Sequence, residues 1–249
     1  MSGHSKWASI KHKKAVVDAR RGQQFTKLAR AITVAARDGG GDPESNATLA
    51  QAVQKARDAS MPKDNIERAI AKGTGAGADA AAIESVTYEG YGPGGVALLI
   101  EALTDNRNRT GADVRHILTK HGATLGEPGS VAYLFEKRGV IVVDGGRWSE
   151  DDLIVAIDAG AEDVSIDDDV YEVITAPGDL PPVRAALEEA GIAVESAEVL
   201  QHPTSRVPVE EAEATRLMRL IDALESNDDV NSVHANFDVS ADVLERVAG

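Results

Sequence analysis

Eight basic side chains, Lys6, Lys11, Lys13, Lys14, Arg20, Arg21, Lys27 and Arg30, fall among the first thirty residues, where Asp18 is the only acid. Ammonium and guanidinium groups at this density neutralise phosphates and release the counterions condensed on them. Trp7 stands within the run, and an indole can stack on an unpaired base. The chemistry implied is polyanion binding with nucleic acid as the natural ligand, and a solvated basic tail is the plainer alternative. If about six of these cations meet duplex phosphates, log K falls against log salt with a slope of roughly −5.

The remainder of the 249-residue chain has the opposite sign. Residues 1–72 hold 14 of the 26 Lys/Arg and 7 of the 41 Asp/Glu, a formal +7, and the rest carries −22, giving the overall −15. Screening acts over about 8 Å at physiological salt, so a polyanion at the basic head hardly senses an acidic body nanometres away. Local charge is therefore the better guide to partners. The chain has no cysteine, which excludes disulfides, thiol nucleophiles and thiolate zinc sites and fits a reducing, cytoplasmic setting. The longest apolar run, residues 96–100, ends at Glu101. That is far short of the roughly 20 residues a membrane span needs, and no signal-peptide pattern is expected.

Other stretches that could do chemistry give weaker signals. The GYGPGG stretch (90–95) lacks the Lys-Ser/Thr of a phosphate loop and reads as a hairpin turn. DNRNRT (105–110) places Arg107 and Arg109 at a strand-to-helix junction, where they either contact an anion or pair with the acidic body. His116 and His121 are spaced wrongly for two ligands on one helical face, and Asp167, Asp168 and Asp169 read as a hydrated turn, so no metal and no cofactor are assigned. No nucleophile-elbow, zincin or Walker pattern is present, which leaves no positive reason to propose an enzyme.

These residues need elements to position them. Residues 1–22 read as a flexible basic arm that orders on contact. From Gln23, the residues Phe25, Leu28, Ala29, Ile32, Ala35 and Ala36 recur at helical spacing, with Lys27, Arg30 and Arg37 on the opposite face. GGGDP closes that helix; a second is expected over 46–59 and a third from Pro62 to a stop at Gly73. Together they form a helical domain over 23–73. A small-residue linker (74–82) leads to strands 85–91 and 96–104, a helix over 110–121 opened by a Thr110-x-x-Asp113 cap, and a strand in VAYLFEK. Residues 138–204 read βαββαβ, with helices over 149–159 and 179–190. An amphipathic helix over 210–224 and a strand over 230–237 close the chain. The fold class expected is α+β multidomain: an N-terminal three-helix domain, then an α+β domain (83–137 with 205–249) into which a ferredoxin-like domain (138–204) is inserted.

The motifs GHSKW, IKHKK, RRGQQFTKLAR, GGGDP, YEGYGPGG, DNRNRT, GSVAYLF, GAEDV, SAEV and LMRLIDALE occur in this order. Together they closely resemble the YebC family of probable transcriptional regulatory proteins, over essentially the whole chain. The mitochondrial translational activator of cytochrome oxidase subunit one belongs to the same family. The resemblance implies three domains and a DNA-binding transcriptional regulator. For organellar and some bacterial relatives it implies instead a ribosome-associated factor that eases synthesis of proline-rich stretches. It supplies no catalytic residues. Many relatives carry Lys where Gln23 stands here. No helix-turn-helix with an obvious recognition helix is present, so DNA binding is expected to be weakly sequence-specific. The expected state is a monomer whose acidic domains are free to meet protein partners.

Overall fold

The structure, a computed structural model, describes residues 18–75, 83–167 and 170–248. The helical unit comprises α1 (Asp18–Gly39), α2 (Ala47–Asp58) and α3 (Lys63–Gly73). Helix α1 takes in residues 18–22, which the sequence reading assigned to the arm. Arg20, Arg21, Gln23 and Gln24 are good helix formers and carry the helix back past its apolar stripe. Leu28 and Ile32 of α1 pack on Leu49, Val53, Met61 and Ile66. Asn46 ties two helices together: its Oδ1 accepts the Leu49 N–H at 3.0 Å, capping α2, while its Nδ2 donates to Ala35 O and Gly40 O, each at 2.8 Å. The end of α3 closes on α1 at Gly73, where a Cβ would collide with the Thr33 carbonyl oxygen.

Beyond residue 83 the chain builds two four-stranded sheets. The first contains β1 (Glu84–Tyr91), β2 (Ala97–Thr104) and β3 (Thr124–Leu125), with α4 (Arg107–Lys120) between β2 and β3. A one-turn 3-10 helix, Pro93–Gly95, joins β1 to β2, with Gly94 at φ +73°. GYGPGG is thus a hairpin connection that needs glycine's left-handed freedom. The second sheet takes β4 (Phe135–Asp144), β5 (Asp163–Asp167), β6 (Val170–Thr175) and β7 (Val194–Pro203) in the antiparallel order β5-β6-β4-β7. The chain then returns through β8 (Val207–Pro208), α7 (Glu211–Glu225), β9 (Val230–Ala235), β10 (Phe237–Asp238) and α8 (Ala241–Ala248). Strand β9 joins β2, so the first sheet runs β3-β1-β2-β9.

Several elements differ from the sequence reading. VAYLFEK is not a separate strand: Ala132–Leu134 forms a 3-10 turn, and β4 then runs unbroken from Phe135 across the expected boundary at 138. The helix expected over 149–159 reduces to a 3-10 turn, Asp151–Leu153, and α5 (Ile154–Asp158). The helix expected over 110–121 starts three residues earlier at Arg107, capped by Asn106 rather than Thr110. Strand pairing stops at Asn236, whose side chain turns inward to accept the Ala97 N–H at 2.7 Å, separating β9 from β10. Helix α8 was not read at all.

The two faces of the first sheet differ by strand alternation. Leu98, Ile100, Val233 and Ala235 face α4, α7 and α8 in the largest core, with Val114, Leu118, Leu217 and Leu220. The opposite face carries Ala97 and Leu99 against Val131 and Phe135. Glu101 and Ser232, paired in register, and His234 share that face. Buried Glu89 accepts the N–H groups of Gly129, Val131 and Ala132 at 2.6 to 2.8 Å and so fixes the loop into β4. Burial alone would raise its carboxyl, but these three bonds hold it below the usual range. The third core gathers Ile141, Val143 and Val173 with Leu153, Val183 and Leu187.

Candidate nucleic-acid interface

Five of the residues singled out in the sequence, Lys6, Trp7, Lys11, Lys13 and Lys14, lie outside the described residues. Arg20 stands in the first turn of α1, and Arg21 follows it with its side chain exposed. The next cations along α1 do not share an open face. Lys27 Nζ donates to the Glu225 carbonyl at 2.5 Å, and Gln23 Nε2 donates to Ser226 O at 2.7 Å and Asp228 Oδ1 at 2.8 Å. Arg30 Nη1 meets Asp229 Oδ1 at 2.8 Å and the Asp228 carbonyl at 3.0 Å. Arg37 donates to Asp38 Oδ1 at 2.8 Å and to the Ile83 carbonyl at 2.6 Å. The face opposite the apolar stripe of α1 is therefore a joint with the acidic loop between α7 and β9.

Asp229 organises that joint. Its side chain is only 6 % exposed, and Oδ2 accepts from Arg109 Nη2 at 2.7 Å while Oδ1 takes Arg30. Thr110 Oγ1 lies 2.7 Å from Asp229 Oδ2 and from Thr104 Oγ1. Burial alone would raise the Asp229 carboxyl, but bonds from Arg109, Thr110 and Arg30 outweigh that effect and hold it low. Arg109 also pairs with Asp105 at 2.8 Å. Of the two readings of DNRNRT, Arg109 thus follows the pairing one. Arg107 stays exposed in the first turn of α4, and its carbonyl accepts the Tyr88 hydroxyl at 3.3 Å.

Two further cations, Arg68 and Lys72, face open space beside Arg30. An open cleft of about 430 Å³ runs between α1, α3 and the start of β1. Phe25, Ala29, Met61, Ala69 and Ile83 make its apolar floor, and Arg30, Arg68, Lys72 and Asn65 stand on its walls, with no carboxylate in the lining. The sequence held a signal for it: Arg68 and Lys72 are four apart in IERAIAK, so they share one exposed side of α3. Reading that segment only for its apolar spacing passed over them. A second cleft, beside β4 and β7, mixes Glu136, Glu162 and Asp163 with Arg138 and Arg206, a lining unsuited to a polyanion. Among the described residues, no cluster of His, Asp and Glu is arranged to hold a metal ion, and no helix is long and apolar enough to cross a membrane.

Two family models match the chain. Residues 5–76 match the model for the TACO1/YebC protein N-terminal domain, and residues 83–237 match that for the TACO1/YebC second and third domain. The chain belongs to the TACO1/YebC family. Within that family, a protein of Rubrobacter xylanophilus is 57 % identical over 250 residues, covering 100 % of both chains, and is named "Probable transcriptional regulatory protein". A protein of Acidothermus cellulolyticus with the same name is 56 % identical, over 99 % of this chain and 100 % of its own. The crystal structure of a conserved hypothetical protein from Aquifex aeolicus superposes with a TM-score of 0.80 at 48 % identity, covering 92 % of this chain and 95 % of that one. The TACO1/YebC relatives thus share the mixed α+β architecture with leading helices, and their names point to a regulatory role.

Proposed function

We propose that this chain is a non-enzymatic regulator of gene expression that binds DNA through its N-terminal end. Lys6, Lys11, Lys13, Lys14, Arg20 and Arg21 hold the phosphate backbone, Trp7 stacks on a base, and the helical unit extends the contact. The observation that carries this reading is the charge distribution: a +7 head, whose cleft is walled by Arg30, Arg68 and Lys72 without a carboxylate, joined to a −22 body. The regulator names of the TACO1/YebC relatives support the same reading. In this account the acidic units repel the polyanion elsewhere, so binding is confined to one end. The segment 138–204 acts as an inserted ferredoxin-like unit, which the strand order β5-β6-β4-β7 and its two helices support. Lys27, Arg30, Arg37 and Arg109 contribute charge while held in protein contacts, and Arg107 is free to reach a phosphate.

Titrating duplex DNA over a range of salt concentrations tests the proposal. The expected result is a log–log slope of roughly −5 for about six phosphate contacts. Reversing charge at Lys11, Lys13 and Lys14 weakens binding to all sequences alike and leaves the Tm nearly unchanged. Association that ignores salt overturns the proposal. Cosedimentation with ribosomes without any retention of DNA overturns the DNA assignment.

A further inference from the structure

We infer that the cleft between α1 and α3 receives an unpaired nucleotide of a single-stranded nucleic acid, so that the helical unit prefers opened strands to closed duplex. This inference rests on the proposed nucleic-acid reading and specifies the form of its ligand. A cleft of about 430 Å³ is within the range of small-ligand pockets, about 300–1,000 Å³. The ring of Phe25 is half-buried at its floor, and an aromatic face there offers the stacking surface that any base accepts. A paired base inside a duplex cannot reach such a floor, because both of its faces are already stacked.

The walls supply what the rest of a nucleotide requires. Arg68 donates through Nη2 to Asn65 Oδ1 and through Nε to the Asp64 carbonyl. Those bonds fix its guanidinium plane and leave Nη1 uncommitted among the described residues. Lys72 has no acidic partner among the described residues. Arg30 engages its Asp229 joint through Nη1 alone, leaving its other donors available. Asn65 Nδ2 likewise has no partner among the described residues, a donor suited to the edge of a base. Three cations and an amide around an apolar floor match the phosphate and base of one nucleotide, and the lack of a carboxylate means nothing in the lining opposes the anion.

The test measures fluorescence anisotropy of the full chain with labelled oligo-dT, oligo-U and a blunt DNA duplex. It compares wild type, Arg68→Ala/Lys72→Ala, Phe25→Leu and Arg57→Ala, the last being an exposed cation of α2 outside the cleft. Wild type is expected to bind the single strands more tightly than the duplex. Phe25→Leu and the double variant each lose about tenfold on single strands, while the duplex and Arg57→Ala change little. Arg68 and Lys72 are exposed, so the double variant keeps the fold even if Phe25→Leu does not. Variants that bind single strands like wild type overturn the cleft assignment and leave the regulator reading standing. Equal losses on duplex and single strand overturn the unpaired nucleotide in favour of plain phosphate contact. A wild type that binds no nucleic acid at low salt overturns the regulator reading and this inference with it.

Discussion

The interior of the helical unit and the joints that hold it to the sheets are built from different chemistry. Three apolar clusters stay within one unit each, Ile32 and Leu49 in the helices, Leu217 and Phe237 in the first sheet's layer, Val173 and Leu187 in the second, while a fourth joins the two sheets through Ala97 and Leu99 against Phe135 of β4. The joints that hold the helical unit are polar. Gln23, Lys27 and Arg30 meet the loop after α7, Lys55 Nζ meets Glu198 Oε2 at 2.6 Å, and Arg184 meets Asp58. Desolvation alone would lower the Lys55 ammonium, but Glu198, with smaller charge effects from Glu101 and Glu225, raises it. Apolar burial is strong and insensitive to salt, whereas ion pairs with solvent access contribute about 0–1 kcal/mol each and weaken as salt rises. The difference teaches that the helical unit folds on its own interior and is held to the sheets by contacts that a polyanion or high salt can compete for.

The strongest test strikes one interior. Leu49→Ala removes a fully buried side chain from the helical core and is expected to cost about 2–5 kcal/mol. Because the joints are weak, calorimetry should show the helical unit's transition moving down while that of the sheets stays in place. A shift of both together would show that the joints couple the units after all. Next comes the joint itself. Asp229→Asn keeps the size and removes the charge that holds Arg30 and Arg109, at an expected cost of about 1–3 kcal/mol. Small-angle scattering should report a larger radius of gyration for that variant, and no expansion would assign the docking of α1 to other contacts.

The sequence displayed the interiors far better than the joints, for a physical reason. A core leaves a periodic trace, so Phe25 to Ala36, the βαββαβ run and the stripe of α7 could be read directly. A joint between units leaves none: nothing local distinguishes Lys27 and Arg30, which are docked, from Arg68 and Lys72, which are open. The DNRNRT stretch shows the same limit. Its polar composition announced a junction, but only folding brings Asp229, 120 positions away from Arg109, to its guanidinium. Two readings near β4 erred the other way: the boundary expected at 138 falls inside β4, where pairing continues through Gly139, and the helix expected over 149–159 thins to α5.

Acid sharpens the comparison at the point where sheet and joint meet. Burial alone would raise Glu101, but the bond and charge of His234, with bonds from Ser232 and Gln201, bring its carboxyl from 4.5 to about 2. A carboxyl lower in the folded than in the unfolded chain contributes stability that is fully present above about pH 4.5 and is lost as pH falls toward 2. Glu101→Gln should therefore lower Tm at neutral pH and flatten its fall as the pH drops below about 4.5. An unchanged limb would place the acid sensitivity in Glu89 or Asp229, which are also held low.

The smallest expected effect comes from the joint between α2 and α6 (Leu180–Glu189). Arg184 Nη1 and Nη2 meet Asp58 Oδ2 at 2.8 Å and Oδ1 at 3.1 Å, a two-pronged geometry, and Nε meets Glu188 on its own helix at 2.8 Å. Fork-to-carboxylate pairing favours strength, but Asp58 is 39 % exposed, so water and salt screen much of it. A double-mutant cycle with Arg184→Ala and Asp58→Ala is expected to give a coupling of at most about 1 kcal/mol. High salt should reduce it further. A larger, salt-independent value would mean that this joint is packed as tightly as an interior, and the contrast between cores and joints would then hold only for the contacts made by α1.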